Sequence, residues 1–244
     1  QGMTLKILKL ANSAYYSIPG GAKTLNRALT FLGYNTIKQI VISSSVFDVF
    51  KKLDSPAFNL TEYWKHSAAV AIASETLARQ LKISGPEEIF VCGLVHDIGK
   101  LALLMIDKED FLKTCVLARE KNFTFTEAEI NRDSPRHAYW GQVLAKKWQL
   151  PTLLQSAIKD HHFSNHKQRL STDSNINQKI DIVYLANQIT HCLNFGNSGY
   201  EVQPPYDTEL ALRLELKTTN PQDLFQKIEE ALIHAEPTLK LFTD

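Results

Sequence analysis

The sequence predicts an all-α fold, a helical bundle preceded by an N-terminal helical subdomain. Three observations carry that prediction. Strict alternation of apolar and polar residues, the mark of a half-buried strand, is nearly absent, while apolar residues recur three and four apart through segment after segment. Prolines stand between those segments or at their first turns, where a missing N–H costs little. At 244 residues, with 44% apolar and 22% charged residues, the chain can bury a core as one large domain or two small ones.

Helical periods cover about 3–14, 23–32 and 35–52, the first closed by Pro19-Gly20-Gly21. Asp54-Ser55-Pro56 then divides an N-terminal unit, 1–57, from the remainder of the chain. The next periods run over 60–82 and 86–106, with a sharp corner at Ser84-Gly85-Pro86. Shorter ones cover 109–121, 126–131, 135–148 and, from Pro151, 151–163. Residues 164–175 are rich in Ser and Asn and read as a mobile loop. A long period over 176–195 completes a core domain, 58–196. Beyond the break at Asn197-Ser198-Gly199 and Pro204-Pro205, a C-terminal extension, 197–244, holds periods at 207–215 and 221–233. The last of these is amphipathic, with Leu224, Ile228 and Leu232 on one face.

Composition excludes some classes of function. A net charge of +1 and no basic stripe interleaved with aromatics argue against nucleic acid or anionic lipid as a partner. No apolar run is expected to reach the roughly 20 residues that cross a bilayer, and no secretory signal opens the chain. Cys92, Cys115 and Cys192 are isolated and odd in number, so they read as reduced core residues in a cytoplasmic setting.

The chemistry sits in His96-Asp97, inside an otherwise apolar helical run. Burying an imidazole and a carboxylate without partners costs several kcal/mol, so other polar groups or an ion must meet them. Further candidates lie on the apolar faces of neighbouring helices. Glu62 and His66 are one turn apart on the face continued by Val70, Ala73 and Leu77. His137 shares its face with Gly141, Leu144 and Trp148, and His161-His162 come after Leu154 and Ile158. Asn187 continues the face of Ile180, Val183 and Tyr184. Each residue alone reads as a core or surface side chain, and Glu62 alone as a first-turn acid favoured by the helix dipole. Together they make a set of imidazole and carboxylate donors without sulfur, suited to Fe, Mn, Ni, Zn or Mg. His166 and His191 fall outside this pattern and receive no role.

The residues also resemble a known family. Trp64-Lys65-His66-Ser67, Gly93-Leu94-Val95-His96-Asp97-Ile98-Gly99-Lys100, His137-Ala138-Tyr139-Trp140-Gly141, Trp148-Gln149-Leu150-Pro151 and His161-His162 resemble the HD superfamily, and specifically its HDOD branch. Leu8-Lys9-Leu10-Ala11-Asn12-Ser13-Ala14 and Ala28-Leu29-Thr30-Phe31-Leu32-Gly33 are typical of HDOD domains and not of plain HD enzymes. The resemblance implies an HD-type helical bundle and a bacterial signal-transduction output module, with an upstream segment such as a receiver domain, and signalling proteins as partners. By likeness to the HD-GYP phosphodiesterases it also implies roles. His66, His96 and Asp97 would bind metal, with Asp97 bridging two ions. His137, His161 and His162 would complete a second ion's shell, Glu62 would add a carboxylate, and Lys100 would face a phosphate. Asp97 and Lys100 would then be the catalytic pair.

Two departures bear on activity. The last ligand of the family is normally an aspartate, but Ala186-Asn187 stands there, and an amide oxygen is a weak, uncharged ligand that cannot act as a base. The Gly-Tyr-Pro motif after the paired histidines is replaced by Phe163-Ser164-Asn165, which argues against cyclic di-guanylate hydrolysis. The expectation is a signalling module with a degenerate HD centre. The alternative is a metal-dependent phosphohydrolase acting on a nucleotide or cyclic nucleotide.

Overall fold

The computed structural model describes residues 2–13, 16–50, 58–203, 205, 207–216 and 221–240. Among them it contains α-helices and one 3-10 turn, and no β-strand. The N-terminal unit comprises α1 (Gly2–Ala11) and α2 (Leu25–Phe50). The run of α2 is broken at Gly33, whose φ of 78° is left-handed, and this is where the sequence separates two segments. Ala11, Ile18, Ala22 and Ala28 form one small core here, and Ile7, Leu10 and Ile40 another. Asn12 closes the intervening turn by accepting from Ala22 N at 2.5 Å and donating to Ala22 O at 2.9 Å.

The main core is built on α3 (Leu60–Gln80), capped by Asn59, whose side chain accepts from Glu62 N. It packs against α4 (Pro86–Val95), against α10 (Ser174–Cys192) and against α12 (Pro221–Lys240). Leu224, Ile228 and Leu232 of the last helix join this same core, as their spacing predicts. Between these lie α5 (Ile98–Ile106), α6 (Lys108–Lys121), α7 (Phe125–Asn131), α8 (His137–Lys147) and α9 (Thr152–Asp160), with α11 (Thr208–Arg213) after α10. A full capping box, Thr124 with Glu127, starts α7.

Three expectations change. First, the continuous helix expected over 86–106 is interrupted at His96-Asp97. Asp97, at φ −97° and ψ 9°, lies between α4 and α5. This is the bridge region, where backbone bends and many functional residues sit. Second, the stretch Pro86–Ile106 does reach membrane-crossing length, with a mean hydropathy of 1.9, but 89% of it is buried inside the protein as core. Third, residues 164–175 are tied down. Buried Arg169 donates to Asp181 at 2.5 Å, to Asn177 O at 2.7 Å and to Phe163 O at 2.8 Å. His166 and Arg213 reach the same Asp181 carboxylate at 2.9 and 3.0 Å. A buried carboxylate with these partners anchors the loop to α10, whatever its Ser and Asn content suggests.

The crossing of α5 and α8 positions the site. A Cβ on Gly99 would lie 1.8 Å from His137 O, and one on Gly141 would lie 3.1 Å from Gly99 Cα. Glycine on both sides lets the two backbones touch, so the first residue of α8, His137, arrives beside Asp97.

Candidate metal centre

Asp97 is the hub. Its Oδ2 lies 2.7 Å from Lys100 Nζ and 3.4 Å from His96 Nε2, and its Oδ1 lies 3.3 Å from His137 Nε2 and 3.4 Å from His161 Nε2. These side chains are all but completely buried. Among the described residues two groups of side chains could hold a metal ion, and both contain Asp97. One joins it to His137, His161 and His162, the other to His66 and His96.

The hydrogen bonds behind the rings decide what the rings can do. His96 Nδ1 faces Gly93 O at 2.7 Å, and His161 Nδ1 faces Ile158 O at 2.9 Å. A carbonyl only accepts, so in both rings Nδ1 carries the proton and Nε2 presents a lone pair toward Asp97. His137 Nδ1 faces the Glu129 carboxylate at 2.9 Å, and the same oxygen accepts from His137 N at 2.6 Å. Carbonyl or carboxylate support behind a ring is the arrangement that orients metal-binding histidines. The Nε2 atoms of His96 and His161 and Oδ1 of Asp97 are buried without a hydrogen-bond partner, so the residues present fit a divalent first-row ion.

Electrostatics agree. Burial alone would raise the Asp97 carboxyl, but the Lys100 ammonium holds it well below the usual carboxylate range. Burial pushes His66 down to about 3. Burial likewise brings His161 to about 4 and holds His162 well below the ordinary imidazole value. His137 runs the other way: burial opposes its proton, yet Glu129 and Asp97 raise it above the ordinary value.

A pH dependence is expected for the metal-free protein. The unfolded chain takes up protons near pH 6.5 that folded His66 and His161 refuse until about 3 and 4, so stability falls as pH drops through that window. His137 contributes oppositely, adding stability below its ordinary value and losing it as pH rises. Lowered rings outnumber the raised one, so the folding constant should drop more than about tenfold per pH unit between roughly pH 6 and 4. Denaturant melts at stepped pH measure this, and a flat profile would show the rings to be solvated.

The remaining expected residues divide. Asn187 Oδ1 lies 3.0 Å from His66 Nε2, so it contacts the centre. His162 is half-buried, its Nε2 2.8 Å from His137 Nε2. Glu62 is in neither group. It occupies the first turn of α3, where the helix dipole favours an acid, and its carbonyl accepts from Asn197 N at 3.0 Å. Lys100 is fully buried, paired with Asp97 one turn away and donating to Ser198 Oγ at 3.1 Å. The rings of Phe125 and Tyr200 lie 4.8 and 5.2 Å from its ammonium.

Sequence reasoning missed Glu129, Ser198, Tyr200 and His191. The His191 ring lies 4.3 Å from that of His66, and its signal was present, four residues after Asn187 on the same helical face. The segment 196–200 also belongs to the centre. Gly196, at φ +73°, presses on α3 so closely that a Cβ would lie 2.3 Å from His66 N.

The fold and the centre define an all-α HD-type bundle with a buried His/Asp cluster. The HDOD domain model matches residues 1–164, and the chain belongs to the HDOD domain family. A protein of Treponema pallidum (strain Nichols) is 23% identical over 202 residues, which are 81% of this chain and 37% of that protein, so the chain spans little more than a third of this relative. Among solved structures, an HDOD domain protein of unknown function from Geobacter sulfurreducens superposes with a TM-score of 0.81 at 22% identity, covering 98% of this chain and 81% of the other. A Shewanella amazonensis protein, provisionally described as a phosphohydrolase, gives 0.72 at 22% identity over 98% and 82%. The MmoQ response regulator of Methylococcus capsulatus gives 0.54 at 21% identity over 93% and 84%.

Proposed function

We propose that this HDOD domain is a bacterial signal-transduction output module. It acts through contacts with signalling proteins or a receiver domain, and its degenerate HD centre holds a divalent ion without turning over a substrate. The observation that carries this reading is the closure of the centre. His66, His96, Asp97, His137 and His161 are at most 1% exposed, and the one cation expected to face a phosphate, Lys100, is committed to Asp97 and Ser198. The donors come from α3, the α4–α5 junction, the start of α8 and the end of α9. Ion uptake or loss would therefore change how these helices pack, and such packing is what a partner reads. A response regulator among the structures of the same fold is consistent with this role.

The second reading, a metal-dependent phosphohydrolase, draws on the preset Nε2 lone pairs of His96 and His161 and on half-buried His162. An ion bound there would supply activation of water. His137, its Nδ1 held by Glu129, would present Nε2 to that ion, while Asn187, being an amide, could not act as a base.

One experiment separates the two. Protein purified without chelators and then loaded with Mn, Fe, Ni, Zn or Mg is assayed for metal content, melting temperature and hydrolysis of nucleotides and cyclic nucleotides. We expect ion uptake with a rise in melting temperature and no turnover. Turnover that disappears in His96→Ala would overturn the adaptor reading in favour of the enzyme.

A further inference from the structure

The two ligand groups are unequal. Asp97, His137, His161 and His162 offer four donors, whereas His66, His96 and Asp97 offer three, one short of the four protein or solvent ligands that a first-row ion commonly takes. The amide oxygen of Asn187 already faces His66 Nε2 at 3.0 Å. One turn further along α10, His191 stands with its ring 4.3 Å from His66 on one side and 4.3 Å from Tyr200 on the other. It is 7% exposed, and its Nε2 has no hydrogen-bond partner, nor has Nδ1 of His66. A buried polar atom left unpaired forfeits its hydration without recompense, and such atoms are rare enough to need a cause.

We propose that His191 is the fourth protein ligand of an ion held by His66, His96 and Asp97, supplying Nε2 where the side chain at 187 supplies no charge. This rests on the metal-binding reading of the centre. His191 is in neither ligand group as the ring stands, so it would have to turn to bring Nε2 to that ion, a movement that no hydrogen bond to Nε2 opposes. Three imidazoles and one carboxylate, the latter already paired with Lys100, make this half of the centre selective for imidazole-preferring ions such as Fe, Ni or Zn over Mg.

The test is titration of the metal-free protein with Co²⁺, read by stoichiometry and by the visible absorption of the bound ion. Wild type should take up two equivalents. His191→Phe keeps a ring between His66 and Tyr200 but removes the nitrogen. It should bind the second equivalent at least tenfold more weakly, with altered absorption bands and an unchanged melting temperature before loading. Adding Asn187→Asp to that variant should restore the lost affinity, because a carboxylate then replaces the missing nitrogen. Should the Phe variant not fold, His191→Gln carries the same comparison. Wild-type affinity for both equivalents in the His191 variant, or a loss that Asn187→Asp does not restore, overturns the assignment. Failure of the wild-type protein to bind any Co²⁺ would instead sink the metal-binding reading itself.

Discussion

Replacing Asp97 by Ala should weaken ion uptake at both ligand groups and destabilise the fold by about 3–5 kcal/mol. Two separate losses combine. Both ligand groups contain Asp97, so its removal leaves one with two imidazoles and the other with three, and neither with a carboxylate. Lys100 is then left fully buried, with Ser198 Oγ at 3.1 Å and the rings of Phe125 and Tyr200 as its remaining neighbours. A buried ammonium without its counter-charge carries its full desolvation cost, because aromatic faces and one hydroxyl replace only part of the lost carboxylate. Asp97→Asn should behave similarly, since it keeps the volume and removes the charge. Adding Lys100→Met to Asp97→Asn should recover much of the stability and none of the ion binding. Urea melts and elemental analysis of the four proteins provide the check. A loss below about 1 kcal/mol with metal uptake retained would mean that the Asp97–Lys100 pair is not closed to water.

The sequence made most helices legible because apolar periodicity and capping chemistry agree. Asn59, Asp107, Thr124, Asp173 and Asp207 each cap the helix that comes after them. The division at Gly33 was also visible, since a glycine between two apolar periods marks a break. The break at His96-Asp97 was not: residues on both sides are equally apolar, and no proline stands at the turn. Loop 164–175 misled for a related reason. Its composition reads as solvated, but the one residue that fixes it, Arg169, finds its carboxylate twelve residues on, at Asp181.

For the centre, helical spacing was enough to bring His66, His96, Asp97, His137, His161 and His162 together on inward faces. It overreached at Glu62, where first-turn placement and inward placement share the same spacing. At Lys100 the spacing carried two meanings, since a lysine three residues after an aspartate also signals a local pair, and the structure brings that pair together. Glu129 gave no usable signal. It meets His137 only because the chain turns back between α7 and α8, and no periodicity records such a turn. Ser198 and Tyr200 were hidden in the same way, in a segment whose Gly and Ser read as a boundary.

The other large effect is expected at Gly99. A methyl group there would fall 1.8 Å from His137 O, 2.6 Å from His137 C and 2.8 Å from Gly141 N. All three are backbone atoms, so no side-chain rotation relieves the overlap, and α5 must move away from the first turn of α8. That movement withdraws His137 from Asp97 and strains its bond to Glu129. Overpacking in a core commonly costs about 1–3 kcal/mol, and a backbone-against-backbone overlap belongs beyond the upper end of that range. Gly99→Ala should therefore lose more than about 3 kcal/mol and bind the ion shared by Asp97, His137, His161 and His162 poorly. Gly141→Ala should cost less, because its one overlap, at 2.6 Å, is with a side-chain methyl, Ile158 Cγ2, and the backbone atoms Gly99 Cα and N lie farther off, at 3.1 Å. Gly33→Ala meets nothing within 4 Å and bears only the strain of its positive φ, about 1–3 kcal/mol. The ranking Gly99, Gly141, Gly33 in urea melts, with ion binding weakened at the first, is the expected result. A Gly99→Ala protein as stable as Gly33→Ala would mean that α5 and α8 cross with room to spare, and the placement of His137 beside Asp97 would lose its structural cause.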